Sequence, residues 1–120
     1  MKIEILEPVF AICKVPDMSD VTFADDFIFA AKTDEEFSIV CASSAVPQNA
    51  LQTDSGWRAF RIQGVLDFSL VGVLAEITGI LAAHGISIFA VSTYNTDYIL
   101  AKTENFERAI KALADNGYRE

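Results

Sequence analysis

The chain has 120 residues, is 52% hydrophobic and carries a formal net charge of -8. That suits one compact domain, or two very small ones sharing a core, and argues against disorder. An acidic surface repels phosphate backbones, which argues against nucleic acid as a partner. No apolar run approaches the roughly 18 residues that a membrane span requires, and "MKIEILEPVF" carries acidic residues where a signal peptide is apolar. The expectation is a soluble, cytoplasmic protein with no membrane partner.

In chain order, "MKIEIL" alternates like a strand. "VFAICKV" follows as a second strand, then the polar stretch "PDMSDVTFADD", read as a turn or a stub. "FIFAAKTDEEFSIVCA" (27–42) reads as strand, polar turn, strand. Cys13 and Cys41 both lie in apolar strand contexts, where a free thiol behaves as a small buried hydrophobe. With a single His in the chain, a Cys/His metal site has too few ligands, so no metal and no cofactor are expected.

The second half predicts a strand over 57–64, a helix over 70–84, strands over 86–93 and 97–102, and a helix over 104–116. In the first helix Leu70, Val73, Leu74, Ile77, Ile80 and Leu81 form one apolar stripe, Ser69 is placed to cap the start and Gly85 the end. Gly72 and Gly79 cost helix propensity, about 1 kcal/mol each relative to Ala, which close packing on a sheet would explain. In the second helix Phe106, Ala109, Ile110 and Leu113 share a face, with Thr103 as the cap residue and Gly117 at the end. His84 falls in a last helical turn, where the dipole favours a cation, and is read as structural.

The sequence repeats itself. Shifted by 60, Ile28, Phe29, Ala30, Thr33 and Ile39 fall on Ile88, Phe89, Ala90, Thr93 and Ile99. Shifted by 50, Phe10, Ile12, Val15, Asp17, Ser19 and Val21 fall on Phe60, Ile62, Val65, Asp67, Ser69 and Val71. The first copy therefore lacks ten residues where the second has its long helix. The second copy has the order β-α-β-β-α and wants one more strand to complete the ferredoxin-like βαββαβ plan. The expected fold is α+β: two ferredoxin-like units in tandem with antiparallel sheets, the first with a reduced helix. The units are placed at 1–56 and 57–120, sharing strands through the spare N-terminal one.

"GVLDFSLVGVLAEITGILAAHGISIFAVSTYNTDYILAK" resembles an ACT domain, a small regulatory module of amino-acid metabolism. The likeness is closest to the tandem-ACT group that includes the regulatory domains of aspartate kinases and the CASTOR arginine sensors. The carriers are "D-x-S-x-V-G-V-L", "H-G-I-S-I" and "S-T-Y-N-T-D-Y-I-L"; they cover about 57–117, and the likeness is weaker over 1–56. The resemblance implies βαββαβ units paired side by side, an amino-acid effector in the seam and no catalysis. It also implies a homodimer.

The residues themselves suit a free amino acid. The helix start at Leu70, Val71 and Gly72 offers unpaired N–H groups and a positive dipole end to a carboxylate, and Ser69 can add a hydroxyl. Gly72 has no Cβ to block the approach. Asp67, before the helix, and Asn95, Thr96 and Asp97, in the hairpin turn, can supply oxygens to an ammonium, and Tyr94 can wall the pocket. Asn and Asp also favour turns for their own sake, so the turn serves either geometry alone or geometry and ligand. Nothing sets up an enzyme: there is no Walker loop, no GxGxxG after a strand, and no local base for either Cys. The alternatives to an amino-acid-binding regulatory module are a dimerisation scaffold without ligand and a trans-acting regulatory subunit of a biosynthetic enzyme.

Overall fold

The N-terminal strand β1 (Ile3–Ile5) pairs antiparallel with the far end of β5 (Gln52–Ile62), in the register Ile3↔Ile62, Glu4↔Arg61 and Ile5↔Phe60. The computed structural model describes residues 1–63 and 72–120. Two units emerge: a larger one of Met1–Glu7 with Arg58–Glu120, and a smaller one of Pro8–Trp57. β5 contributes one half to each.

The larger unit also contains α1 (Val73–Ala83), β6 (Ile88–Ser92), β7 (Asp97–Lys102) and α2 (Thr103–Ala114). Its strands run in the order β1-β5-β7-β6. β1 thus takes the place beside the first strand of the βαββα series that the ferredoxin-like plan gives to a sixth element. Its other side meets the end of the chain: Ile3 N–H donates to the Arg119 carbonyl at 2.8 Å, and Arg119 N–H to the Met1 carbonyl at 3.1 Å.

Both helices bury their apolar stripes. Ile77 and Leu81 of α1, and Phe106, Ala109 and Leu113 of α2, join Ile3, Phe60, Ile62, Ile99 and Ala101 in one core. Each fully buried Ile, Leu or Phe side chain among them contributes about 1.5–3 kcal/mol. Helix α1 ends in a Schellman motif: Ile86 N–H reaches the Leu81 carbonyl at 3.0 Å and Gly85 N–H the Ala82 carbonyl at 2.9 Å. Gly85 takes the left-handed conformation this requires, φ +69°.

The smaller unit holds β2 (Phe10–Val15), β3 (Phe29–Lys32), β4 (Phe37–Ala42), a 3₁₀ turn (Ser43–Ala45) and the first half of β5, in the strand order β3-β4-β2-β5. No α-helix joins β2 to β3. Asp17 Oδ1 organises the loop instead, accepting from Ser19 N–H at 2.9 Å, from the Ser19 hydroxyl and from Asn49 Nδ2 at 3.2 Å. Met18, Val21, Val46 and Ala50, all from loops, pack against Ala11, Cys13, Val15, Ile39 and Cys41. Both cysteines are free and buried.

Four expectations need correction. Helix α1 begins at Val73, with Gly72 as its N-cap residue; the expected cap Ser69 and the positions Leu70 and Val71 lie outside the described residues. β5 begins at Gln52 and not at 57, because main-chain pairing of Gln52, Thr53 and Asp54 with Lys14, Cys13 and Ile12 extends it through a stretch with no apolar signature. Thr103 is the first residue of α2 and not its cap; Lys102 holds the cap position, without a side-chain cap bond. Finally, Gly72 and Gly79 are not there for close packing, since a Cβ at either would meet no described atom within 4 Å. Gly72 has a different reason, its φ of +91°.

Candidate functional site

The hairpin turn is built first by its own residues. Ser92 and Asp97 are paired across β6 and β7, which leaves Thr93, Tyr94, Asn95 and Thr96 as the loop. Thr93 N–H and its hydroxyl both donate to the Thr96 carbonyl, at 2.9 and 3.0 Å. The Ser92 hydroxyl donates to Asp97 Oδ1 at 2.6 Å. The first copy uses the same device: Thr33 N–H donates to the Glu36 carbonyl at 2.9 Å, and the Thr33 hydroxyl accepts from Glu35 and Glu36 N–H. Threonine at the first loop position is therefore turn chemistry in both copies.

Thr96 does more than turn the chain. It is 6% exposed, and its hydroxyl donates to the Ile62 carbonyl at 3.1 Å. Ile62 is the last residue of β5, from which the chain runs on towards α1. The bond fixes the hairpin turn at that end of β5. Asp97 is half-buried beside it, with lone pairs beyond the one that Ser92 takes. Asn95 is exposed, and Tyr94 is 81% exposed.

At the helix, the first i→i-4 bond among the described residues runs from Glu76 N–H to the Gly72 carbonyl at 2.8 Å. Val73, Leu74 and Ala75 are the first three residues of the helix, whose amides an α-helix leaves without an i→i-4 acceptor of its own. The anion-attracting end thus opens at Val73, one turn later than the sequence suggests. Glu76 is the acidic residue of that first turn. Burial raises the Tyr118 phenol above its ordinary value, and a hydrogen bond to the Glu76 carboxylate adds to the shift. Of the expected site residues the structure places Gly72 at the start of α1 and Tyr94, Asn95, Thr96 and Asp97 in the turn; Asp67, Ser69, Leu70 and Val71 lie outside the described residues.

Two features escaped sequence reasoning. Arg61 reaches Glu4 Oε1 at 3.0 Å and the Tyr98 hydroxyl at 3.2 Å on the sheet face away from the helices. The Tyr98 bond, then the Glu4 bond, hold the Arg61 guanidinium above its usual value against the opposing effect of burial. Arg58 lies over the Phe106 ring, 5.0 Å from its centroid. The available signal was "WRAFRI", two arginines inside an otherwise apolar strand. Among the described residues no group of three or more His, Cys, Asp or Glu is arranged to hold a metal, and no helix is long and apolar enough to cross a membrane.

The ACT domain family profile matches residues 52–115. The human cytosolic arginine sensor for mTORC1 subunit 1 is 34% identical over 114 residues, covering 88% of this chain and 33% of that protein. The chain thus spans about a third of the length of the curated relatives it matches. A crystal structure of an Agobacterium tumefaciens protein superposes with a TM-score of 0.84 at 31% identity, covering 99% of this chain and 92% of the other. The regulatory subunit of aspartate kinase from Thermus thermophilus, in its ligand-free form, shares the fold with a TM-score of 0.68 at 12% identity, over 94% and 95% of the two chains.

Proposed function

The chain belongs to the ACT domain family, and we propose that it is a non-catalytic regulatory module that binds a free amino acid at the opening of α1 and the Ser92–Asp97 turn. The observation that carries this reading is the Thr96–Ile62 bond. It holds a carboxylate-bearing turn at the end of β5, the strand that precedes α1 in the chain, and a helix N-terminus suits an anion. The ligand carboxylate takes those amides, with Leu70, Val71 and Gly72 before them. Asp97, Asn95 and Asp67 take the ammonium. The relative that carries arginine in its name makes arginine the first amino acid to test.

The two units are ACT-type copies, the first without its long helix. The protein works in the cytoplasm, in keeping with a relative named as cytosolic. It is a homodimer, because among the described residues β6 and β3 end the strand orders of their units, and edge strands invite a second copy.

A thermal-shift screen with the twenty amino acids tests binding. A ligand at 100 times its dissociation constant adds about 2.7 kcal/mol of stability. Asp67→Ala and Asp97→Asn should each reduce the shift. The rival reading, a dimerisation module without ligand, draws on the internal pairing of Thr93, Thr96 and Asp97; a screen with no shift while the dimer persists selects it.

A further inference from the structure

Away from that site, the larger unit carries a cleft of about 370 Å³ between β1, β5 and α2. Ile5, Phe106 and Ile110 give it an apolar floor. Arg58 enters from β5, its guanidinium laid over the Phe106 ring. One terminal nitrogen donates to the Leu6 carbonyl at 3.4 Å, near the outer limit of a hydrogen bond. Its Nε is buried and has no partner among the described residues. A buried donor left unused on a charged group is costly, and a planar guanidinium fork matches a carboxylate in shape. Lys111 adds a second cation to the lining; Glu107 and Glu120 add two carboxylates. Among the described residues neither Arg58 nor Lys111 forms an ion pair.

We propose that this cleft binds a free amino acid with an apolar side chain, as a second site independent of the one at α1. Arg58, with Lys111, takes the carboxylate; Glu107 and Glu120 face the ammonium; Ile5, Phe106 and Ile110 receive the hydrocarbon. The balance of two cations and two carboxylates favours a zwitterion over a phosphate, which the carboxylates would repel. A ligand seated there touches both β1 and α2, so it ties the N-terminal strand to the helix.

The test is an amide-resolved NMR titration of the full chain with L-leucine, isoamylamine and 4-methylpentanoate. Leucine should give saturable shifts at Ile5 and over 106–111. Isoamylamine, lacking the carboxylate, should give none, and 4-methylpentanoate, lacking the ammonium, should bind more weakly. Arg58→Gln should weaken leucine binding by about tenfold or more, and the exposed Lys111→Gln, which spares the core, should weaken it severalfold. The absence of saturable leucine shifts at these amides overturns the proposal. So does isoamylamine binding as well as leucine, or leucine binding that survives both substitutions. Shifts confined to 72–76 and 93–97 overturn it while leaving the site at α1 intact, so the two readings fail separately.

Discussion

The Thr96 hydroxyl donates to the main-chain carbonyl of Ile62, 34 residues away, from a position only 6% exposed. A buried carbonyl that loses its partner costs about 1–3 kcal/mol. Thr96→Val, which keeps the shape and removes the hydroxyl, should lower unfolding stability by that amount in urea. Thr96→Ser should recover most of it, and equal losses in both would assign the effect to packing.

The two helix glycines should respond with opposite signs. Gly79 is exposed, and a Cβ there has open space, so Gly79→Ala should stabilise by about 0.5–1 kcal/mol. Gly72 has φ +91°, so Gly72→Ala should destabilise, by about 1 kcal/mol or more. Thermal melts of the two variants check both signs.

The N-terminal strand belongs to the core of the larger unit. Ile3 is 2% exposed among Phe60, Ile62 and Leu113. Ile3→Ala should cost about 2–5 kcal/mol. Hydrogen exchange should show faster amides in β5 at 60–62, whereas unchanged protection there would mean that β1 is dispensable.

Cys41 should behave as an inert thiol. Burial, with Cys13 and Asp25 nearby, pushes its pKa from 9.0 up to about 12. A group held protonated in the fold stabilises it fully below its unfolded pKa, and that stability is lost as pH rises from about 9 to about 12. Native protein at pH 8 should therefore react with a thiol reagent only as fast as it opens, and stability should fall in alkali. Cys41→Ala should flatten the alkaline fall, at the cost of a small cavity.

Much of the fold could be read from periodicity. The stripe Ile77 and Leu81, the face Phe106, Ala109 and Leu113, and the 60-residue echo of Thr33 in Thr93 all follow from side-chain spacing, and each recurs in the structure as a buried face or a turn. What spacing could not show was decided by the main chain. Gln52–Asp54 form a strand because β2 pairs with them, and α1 opens at Gly72 because that residue turns left-handed. The candidate site was legible only as a set of residue types. The Thr96 and Asp97 oxygens proved to have structural partners of their own, and Arg58 over Phe106 depends on a contact 48 residues apart that no local pattern announces.

The most direct measurement is isothermal calorimetry of the full chain with each amino acid, arginine first, repeated on Asp97→Asn and Asp67→Ala. Saturable binding of at least one amino acid is expected, weakened in both variants while their melting curves stay close to that of the parent. Binding that is absent for all twenty, or indifferent to both substitutions, contradicts the proposed function.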